Sequence, residues 1–174
     1  MKLIPKADQD QAIDQTKEHL RMIAGMKQPR IAKTLGYTSP EQFILDWGWP
    51  FYTDENSFVG ERGQVKACYM NAFQLATSHP SKYTYVEGYI HIAVLPVEHA
   101  WVVDNKTGMV VDPTMNPPEE GKTVYALGYF GVPIKEKYLI ATALRTGVYG
   151  VISGMTNPGL LKGEHDIEDV VGDI

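Results

Sequence analysis

The stretch that decides the fold runs from Gln64 to Thr114 and reads QVKACYMNAFQLATSHPSKYTYVEGYIHIAVLPVEHAWVVDNKTGMVVDPT. It contains the only cysteine of the chain, Cys68, followed by His99 on a strand-like segment and by Asp112 at the end of the next one. A thiol nucleophile, an imidazole base and a carboxylate that orients the base are the groups that cysteine-based acyl transfer requires. Their order proves little by itself, because unrelated enzymes use several orders. The sequence around each residue has to decide.

A helix is predicted from about Cys68 to Ser78. The segment is rich in Ala, Met, Gln and Leu, and it stops at His79-Pro80 because proline cannot continue the backbone hydrogen bonds. Cys68 at the start of this helix has the partial positive charge of the helix N-terminus beside its sulfur, which favours the thiolate. A second interpretation stays open here, since a lone cysteine is also a common inert residue of protein cores.

Two strands are predicted after Pro80. Residues 84–95, TYVEGYIHIAVL, and residues 98–104, EHAWVVD, alternate in the manner of strands, and a turn at 105–108 then leads into MVVDPT, residues 109–114, which returns antiparallel. This part of the chain therefore predicts an antiparallel sheet beside the cysteine helix.

The register of the second hairpin decides whether His99 and Asp112 meet. An even loop centred on Lys106-Thr107 places Trp101 opposite Asp112 and makes His99 the diagonal neighbour of Asp112 on the same face. A three-residue loop with a bulge at Gly108 would instead place the two side chains on opposite faces. Both registers are compatible with the sequence.

The motifs YVEGY, HAWV and VDPT, which follow a cysteine at a helix start, resemble in order and spacing the core of the transglutaminase-like superfamily. The resemblance implies an α+β, papain-like fold with N-terminal helices and a central cysteine helix packed on an antiparallel β-sheet. It also implies that Cys68 is the nucleophile, His99 the base and Asp112 the residue that orients the base. The length of 174 residues suits small bacterial and phage-encoded proteins that share the pattern, and leaves no room for the calcium-binding segments of animal transglutaminases. The segment KACYMNAF departs from the family because it lacks the Gly-x-Cys pattern.

Four further residues are candidates for the site. Gln64, four residues before the cysteine, is a candidate oxyanion donor, because papain-like enzymes are similar in using a glutamine upstream of the nucleophile, although at a different spacing. Trp49 in the aromatic segment 47–63, Tyr69 beside the nucleophile and Trp101 beside the histidine are candidates for contact with substrate. The alternatives are a solvated loop glutamine and aromatic side chains that only pack the core.

The sequence offers a rival base and a conceivable set of metal ligands. His91 lies on a predicted strand, but no short hairpin places an aspartate beside it. Cys68, His91, His99 and Asp112 include no close ligand pair such as Cys-x-x-Cys or His-x-x-x-His, so the sequence predicts no metal and no cofactor.

Composition and length predict one domain spanning residues 1–174. It begins with a helix over 7–27, followed by a short helix that Ser39, Pro40 and Gln42 would start as N-cap, first helical residue and capping-box partner. The tail 163–174 has five acidic residues in twelve and is predicted to be flexible.

The charge balance restricts the class of partner. With 21 acidic and 16 basic side chains the net charge is -5, which argues against nucleic acid or an anionic membrane as a partner. The N-terminus turns polar too early for a signal peptide, and no apolar run reaches the roughly 20 residues of a membrane span. A single cysteine cannot form an internal disulfide, so we expect a cytoplasmic protein.

The sequence therefore predicts a cysteine-dependent hydrolase or acyltransferase that acts on a peptide, isopeptide or glutamine carboxamide through a thioester. Its partner would be a protein or peptide substrate, with an amine acceptor if the acyl group is transferred. The alternative is a catalytically inactive papain-like fold that binds a protein or acts as an inhibitor. The intact set of Cys68, His99 and Asp112 favours the enzyme, because a pure binding protein needs none of them. Nothing in the sequence indicates an oligomeric state.

Overall fold

The structure is a computed structural model and describes residues 3–26, 36–37, 39–58, 60, 62–119, 126–152 and 157–173. It is a mixed α+β fold in which a curled antiparallel five-stranded sheet packs with helices. The elements in chain order are α1 (Lys6–Met26), α2 (Pro40–Trp47), β1 (Trp49–Phe51), α3 (Cys68–Ser78), β2 (Tyr83–Ile92), β3 (Leu95–Asp104), β4 (Val110–Val111), β5 (Ala126–Ile134), α4 (Glu136–Thr146), α5 (Pro158–Leu161) and α6 (Ile167–Val170). The predicted α+β class is confirmed.

The strands lie in the order β1-β5-β2-β3-β4, and every neighbouring pair is antiparallel. β2 and β3 form the longest pairing, from Tyr83 opposite Asp104 to Ile92 opposite Leu95. The predicted strand over 84–95 is therefore too long, because the chain reverses at Ala93, which adopts a left-handed φ of 52°. Pro96, which falls between the two predicted strands, lies inside β3.

The helices α2 and α3 begin where the local sequence predicts. α3 spans Cys68–Ser78, as expected. The side chain of Ser39 caps α2 by accepting a hydrogen bond from the backbone N–H of Gln42 at 3.3 Å. The reciprocal half of the capping box is replaced, because the Gln42 side chain donates to Asp46 at 2.8 Å instead.

Two apolar clusters lie on opposite faces of the sheet. One joins the helices to alternate strand residues such as Tyr85, Tyr89, Ala100 and Val102. The other contains the residues of β2 and β3 that alternate with these, together with residues of β1, β4 and β5. Its members are Phe51, Val86, Ile90, Trp101, Val103, Val110, Ala126 and Tyr129. Side chains that alternate along a strand point to opposite faces, so both faces of the central strands are buried.

The acidic tail differs from the expectation of a flexible end. Between residues 163 and 173 the chain forms α6, buries Val170 completely and pairs Val171 with Ile134 of β5. The backbone N–H of Gly172 also donates to the carbonyl of Pro133 at 2.9 Å. Two adjacent valines thus hold a segment whose acidic composition alone predicts solvation.

Within the described ranges, none of the helices combines the length and the apolar character that crossing a membrane would require.

Two glycines permit close packing at the centre of the sheet, Gly88 against the backbone of β5 and Gly131 against Trp101. Gly88 of β2 lies opposite both His99 of β3 and Gly131 of β5. A Cβ at Gly131 would lie 2.6 Å from the Trp101 ring and 2.5 Å from the Glu87 carbonyl oxygen. The indole therefore occupies the space that a side chain at residue 131 would need.

We expect Gly131→Ala to lower the free energy of unfolding by roughly 1–3 kcal/mol, because an added methyl group would overpack a filled region bounded by backbone. Gly25→Ala is the matched control, since a Cβ there has nothing within 4 Å, and a helical alanine is favoured over glycine by up to about 1 kcal/mol. Urea unfolding followed by circular dichroism measures both. Equal stability of Gly131→Ala and wild type would contradict the packing described for Trp101.

Candidate active site

The hairpin between β3 and β4 has the even register. Val103 pairs with Val110 and Val102 with Val111, which places the next residue, Asp112, level with Trp101. The backbone N–H of Asp104 donates to the carbonyl of Met109 at 3.0 Å across the base of a four-residue loop. Gly108 is the last loop residue, with a left-handed φ of 71°. The prediction of an even loop is confirmed, and the bulged alternative is not found.

This register brings His99 and Asp112 into direct contact. The His99 Nε2 atom lies 2.8 Å from the Asp112 Oδ2 atom, and the residues are only 5% and 1% exposed. The hydrogen bond is therefore shielded from water, where an ionic contact is much stronger than at the surface. It occupies one ring nitrogen of His99 and leaves the other, Nδ1, for a second partner.

The Asp112 carboxylate accepts four hydrogen bonds. Oδ2 accepts from His99 and from the Tyr129 hydroxyl at 2.9 Å, and Oδ1 accepts from the backbone N–H groups of Thr114 at 2.8 Å and Met115 at 2.9 Å. Burial opposes ionisation of Asp112, but the charge and hydrogen bond of His99 and the two backbone donors outweigh it, so the pKa is lowered. The turn that follows Asp112 thus fixes the charge as well as the orientation of its side chain.

Cys68 is half-buried at the first residue of α3. The chain enters the helix through Lys66, whose φ of 64° is unusual for a residue other than glycine. Strained backbone of this kind is concentrated at functional sites. Because the short β4 pairs only with Val102 and Val103, the edge of β3 before them is open, and the backbone N–H of Ala100 reaches the Cys68 sulfur there.

The sulfur and the imidazole form one coupled pair. Burial raises the pKa of Cys68, but the hydrogen bond and charge of His99, with the backbone N–H groups of Ala100 and Tyr69, lower it to a larger extent. Burial lowers the pKa of His99, but the charge and hydrogen bond of Asp112 and the contact with Cys68 raise it to about 9. The imidazolium is therefore favoured at neutral pH, and its charge shifts the equilibrium of Cys68 towards the thiolate.

The aromatic candidates lie in three different settings. Trp101 is completely buried and stacks on His99, with ring centroids 6.4 Å apart and an interplanar angle of 15°. Trp49 on β1 is 58% exposed and lies opposite Gly131 of β5. Tyr69, the residue after Cys68, lines a cavity of about 60 Å³. Trp101 therefore covers His99, whereas the strand pairing places Trp49 three strands away from His99.

Gln64 lies in the exposed loop that precedes α3. Its backbone is fixed twice by the side chain of Asn71: the Asn71 Oδ1 atom accepts from the Gln64 N–H at 3.0 Å, and Nδ2 donates to the Gln64 carbonyl at 2.8 Å. The Gln64 side chain therefore extends from an anchored backbone near the nucleophile.

The rival base His91 lies away from this group. It occupies the alternate face of β2 from Gly88, the residue opposite His99, and it is close to His19 of α1. Burial and the charge of His19 lower the pKa of His91. In the described part of the chain, no three His, Cys, Asp or Glu side chains are grouped so that they could hold a metal ion.

Sequence reasoning missed three residues that hold the site together. Tyr129 comes from β5, and Arg62 donates through Nη1 to the carbonyls of Asp112 at 2.7 Å and Met115 at 2.6 Å. Asn71 is the third, and it gave one signal, since it is a polar residue close to the cysteine on a largely apolar helix. No pattern in the sequence points to Tyr129 or Arg62.

No protein-family model, curated protein or solved structure matches this chain. Its chemistry must therefore be inferred from the site itself. A nucleophile, a base and a buried carboxylate in hydrogen-bond contact are the groups needed for attack on a carbonyl carbon.

The coupled pair predicts that Cys68 reacts with iodoacetamide well below the ordinary thiol pKa of about 8.5. Because the charge and hydrogen bond of His99 lower the pKa of Cys68, the variant His99→Ala should require a higher pH. At a pH below the pKa of the wild-type thiol, each unit by which the substitution raises this pKa lowers the alkylation rate about tenfold. Mass spectrometry of the intact protein over a pH series measures the rates.

His79→Ala is the control, since His79 lies at the far end of α3 and should leave the profile unchanged. A wild-type Cys68 that titrates as a free thiol would contradict the ion pair.

Proposed function

We propose that the protein is a cysteine-dependent hydrolase or acyltransferase that acts on an amide bond through a thioester, in a papain-like arrangement of the transglutaminase-like kind. The buried hydrogen bond between His99 and Asp112, with Cys68 on the other side of the imidazole, carries the proposal. A cysteine that only packs a core needs neither a base nor a buried carboxylate behind that base.

The first half of the reaction forms the thioester. The Cys68 thiolate attacks the carbonyl carbon of the amide, and the carbonyl oxygen becomes an oxyanion. The protonated His99 then gives its proton to the amide nitrogen as the carbon–nitrogen bond breaks. The amine or ammonia leaves, and the acyl group remains on sulfur.

The second half returns the free enzyme. His99, now neutral, takes a proton from water or from an amine as that group attacks the thioester carbon. The carbon–sulfur bond breaks, Cys68 leaves as the thiolate, and the imidazolium forms again beside it. Asp112 keeps its charge throughout and stabilises each state in which His99 is protonated.

The oxyanion requires hydrogen-bond donors at about 3 Å. Backbone N–H groups at the start of α3 are free of helical partners and surround the nucleophile. We assign the remaining donor to the side chain of Gln64, whose backbone is anchored beside this helix.

The surroundings of the thiol favour a protein or peptide substrate. The small cavity lined by Tyr69, the residue after Cys68, offers contact for a side chain of such a substrate and is bounded by Glu87 and Glu98. The cavity of about 60 Å³ suits a small substrate group next to the reacting carbonyl. Whether water or an amine resolves the thioester is a question for the assay.

A substrate panel tests this function. Wild type is incubated with peptides, isopeptides and glutamine-containing proteins, with and without a fluorescent primary amine, and samples are quenched in acid. We expect an acyl adduct on Cys68 in the intact mass, together with peptide cleavage, ammonia release or amine incorporation for one substrate class. Cys68→Ala should lose both the adduct and turnover while it stays folded.

Asp112→Asn is the second variant in the same assay. It keeps the shape of the side chain but removes the charge that holds His99 protonated and in the correct orientation, so we expect a fall in rate of roughly 10⁴-fold, as in other triads. Full activity of a folded Cys68→Ala would overturn Cys68 as the nucleophile, and the absence of adduct and turnover in wild type across the panel would favour a binding protein instead.

A further inference from the structure

The side chain of Asn71 joins three segments of the site. It is 4% exposed and lies one turn after Cys68 on α3. Besides its two bonds to the Gln64 backbone, its Nδ2 atom donates to the Thr114 hydroxyl at 2.9 Å. Thr114 in turn provides a backbone N–H to Asp112. One buried amide therefore contacts the helix of the nucleophile, the loop of Gln64 and the turn of Asp112.

We propose that Asn71 is a positioning residue, which sets the thiol of Cys68 in line with the His99–Asp112 pair by locking these three segments together. This inference rests on the proposed function and adds the device that aligns its parts. Catalytic groups must be held to within a fraction of an ångström, because small displacements cost large factors in rate.

Asparagine suits this position because both of its functional atoms are used. Oδ1 accepts one hydrogen bond and Nδ2 donates two, so the amide is satisfied although it is buried. Aspartate at residue 71 could still accept from the Gln64 N–H, but it would direct a negative oxygen at the Gln64 carbonyl. The substitution would keep the side-chain volume but lose the hydrogen bonds that the Asn71 amide donates.

Gly63 provides an independent observation that the Asn71 amide joins these segments. A Cβ at residue 63 would fall 2.2–2.5 Å from the three terminal atoms of the Asn71 amide. The N–H of Gly63 also donates to the Pro113 carbonyl at 2.8 Å, next to Asp112. The absence of a side chain at residue 63 thus lets the amide reach between the loop and the turn.

The test compares the pKa of Cys68 with the free energy of unfolding in a set of variants. Asn71→Asp removes the Nδ2 donor of the amide, Thr114→Val removes one of its acceptors, and Thr114→Ser keeps the hydroxyl. We expect the first two to lower the iodoacetamide alkylation rate near pH 6 by about tenfold or more, because a misaligned imidazolium stabilises the thiolate less. Thr114→Ser should retain the wild-type profile.

Two matched controls separate alignment from simple loss of stability. Asn157 is also a buried asparagine, and its Nδ2 atom donates to the Tyr138 hydroxyl at 3.0 Å and the Val151 carbonyl at 2.9 Å. Thr16 is a buried threonine of α1 whose hydroxyl donates to the Ala12 carbonyl at 2.8 Å. Asn157→Asp and Thr16→Val should destabilise the fold without shifting the pKa of Cys68.

The outcomes distinguish this inference from the function beneath it. An ordinary thiol pKa for wild-type Cys68 would overturn the proposed function and the positioning role together. If wild type has the lowered pKa and a folded Thr114→Val or Asn71→Asp retains it, the positioning role alone is overturned. A shift in these two variants that Thr114→Ser and both controls lack supports it.

Discussion

Burial of the Asp112 carboxylate is the constraint on which the site depends. An ionised carboxylate that is 1% exposed is stable only when each oxygen has hydrogen-bond partners, because an uncompensated buried charge costs several kcal/mol. His99 from β3, Tyr129 from β5 and two backbone N–H groups of the following turn supply them. The order of the strands and the register of the β3–β4 hairpin bring these donors to one point.

The buried carboxylate determines the charge of the two groups in front of it. Asp112 raises the pKa of His99, and the imidazolium lowers the pKa of Cys68, so the buried negative charge shifts Cys68 towards its thiolate form. Trp101 strengthens the electrostatic attraction between Asp112 and His99, since it covers the imidazole and excludes water that would screen the charges. Gly131, which leaves space for the indole on the sheet, thereby supports the pairing of His99 and Asp112.

Local patterns in the sequence were enough for the cysteine helix and for the existence of the hairpin, but they left two registers open. Composition and Pro80 place α3, and the spacing between Trp101 and Asp112 gives the register once an even loop is chosen. Tyr129 could not be foreseen, because its partner Asp112 lies 17 residues away in sequence, where periodicity carries no information. Asn71 stands out as a polar residue on a largely apolar helix, but its contact with Thr114, 43 residues away, could not be foreseen. The reversal at Ala93 and the packing of the tail were not predicted for a related reason. Tertiary contacts outweigh the local preference of alanine at residue 93 and the acidic composition of the tail.

The protonation state of His99 tests the central claim most directly. Nuclear magnetic resonance of protein with isotope-labelled histidine follows each imidazole through a pH titration, and a His99→Gln sample assigns the signal of residue 99. We expect His99 to stay protonated through neutral pH and to lose its proton near a pKa of about 9. An imidazole that is already neutral at pH 7, with an ordinary pKa of about 6.5 or below, would contradict the buried carboxylate as the source of a reactive thiolate.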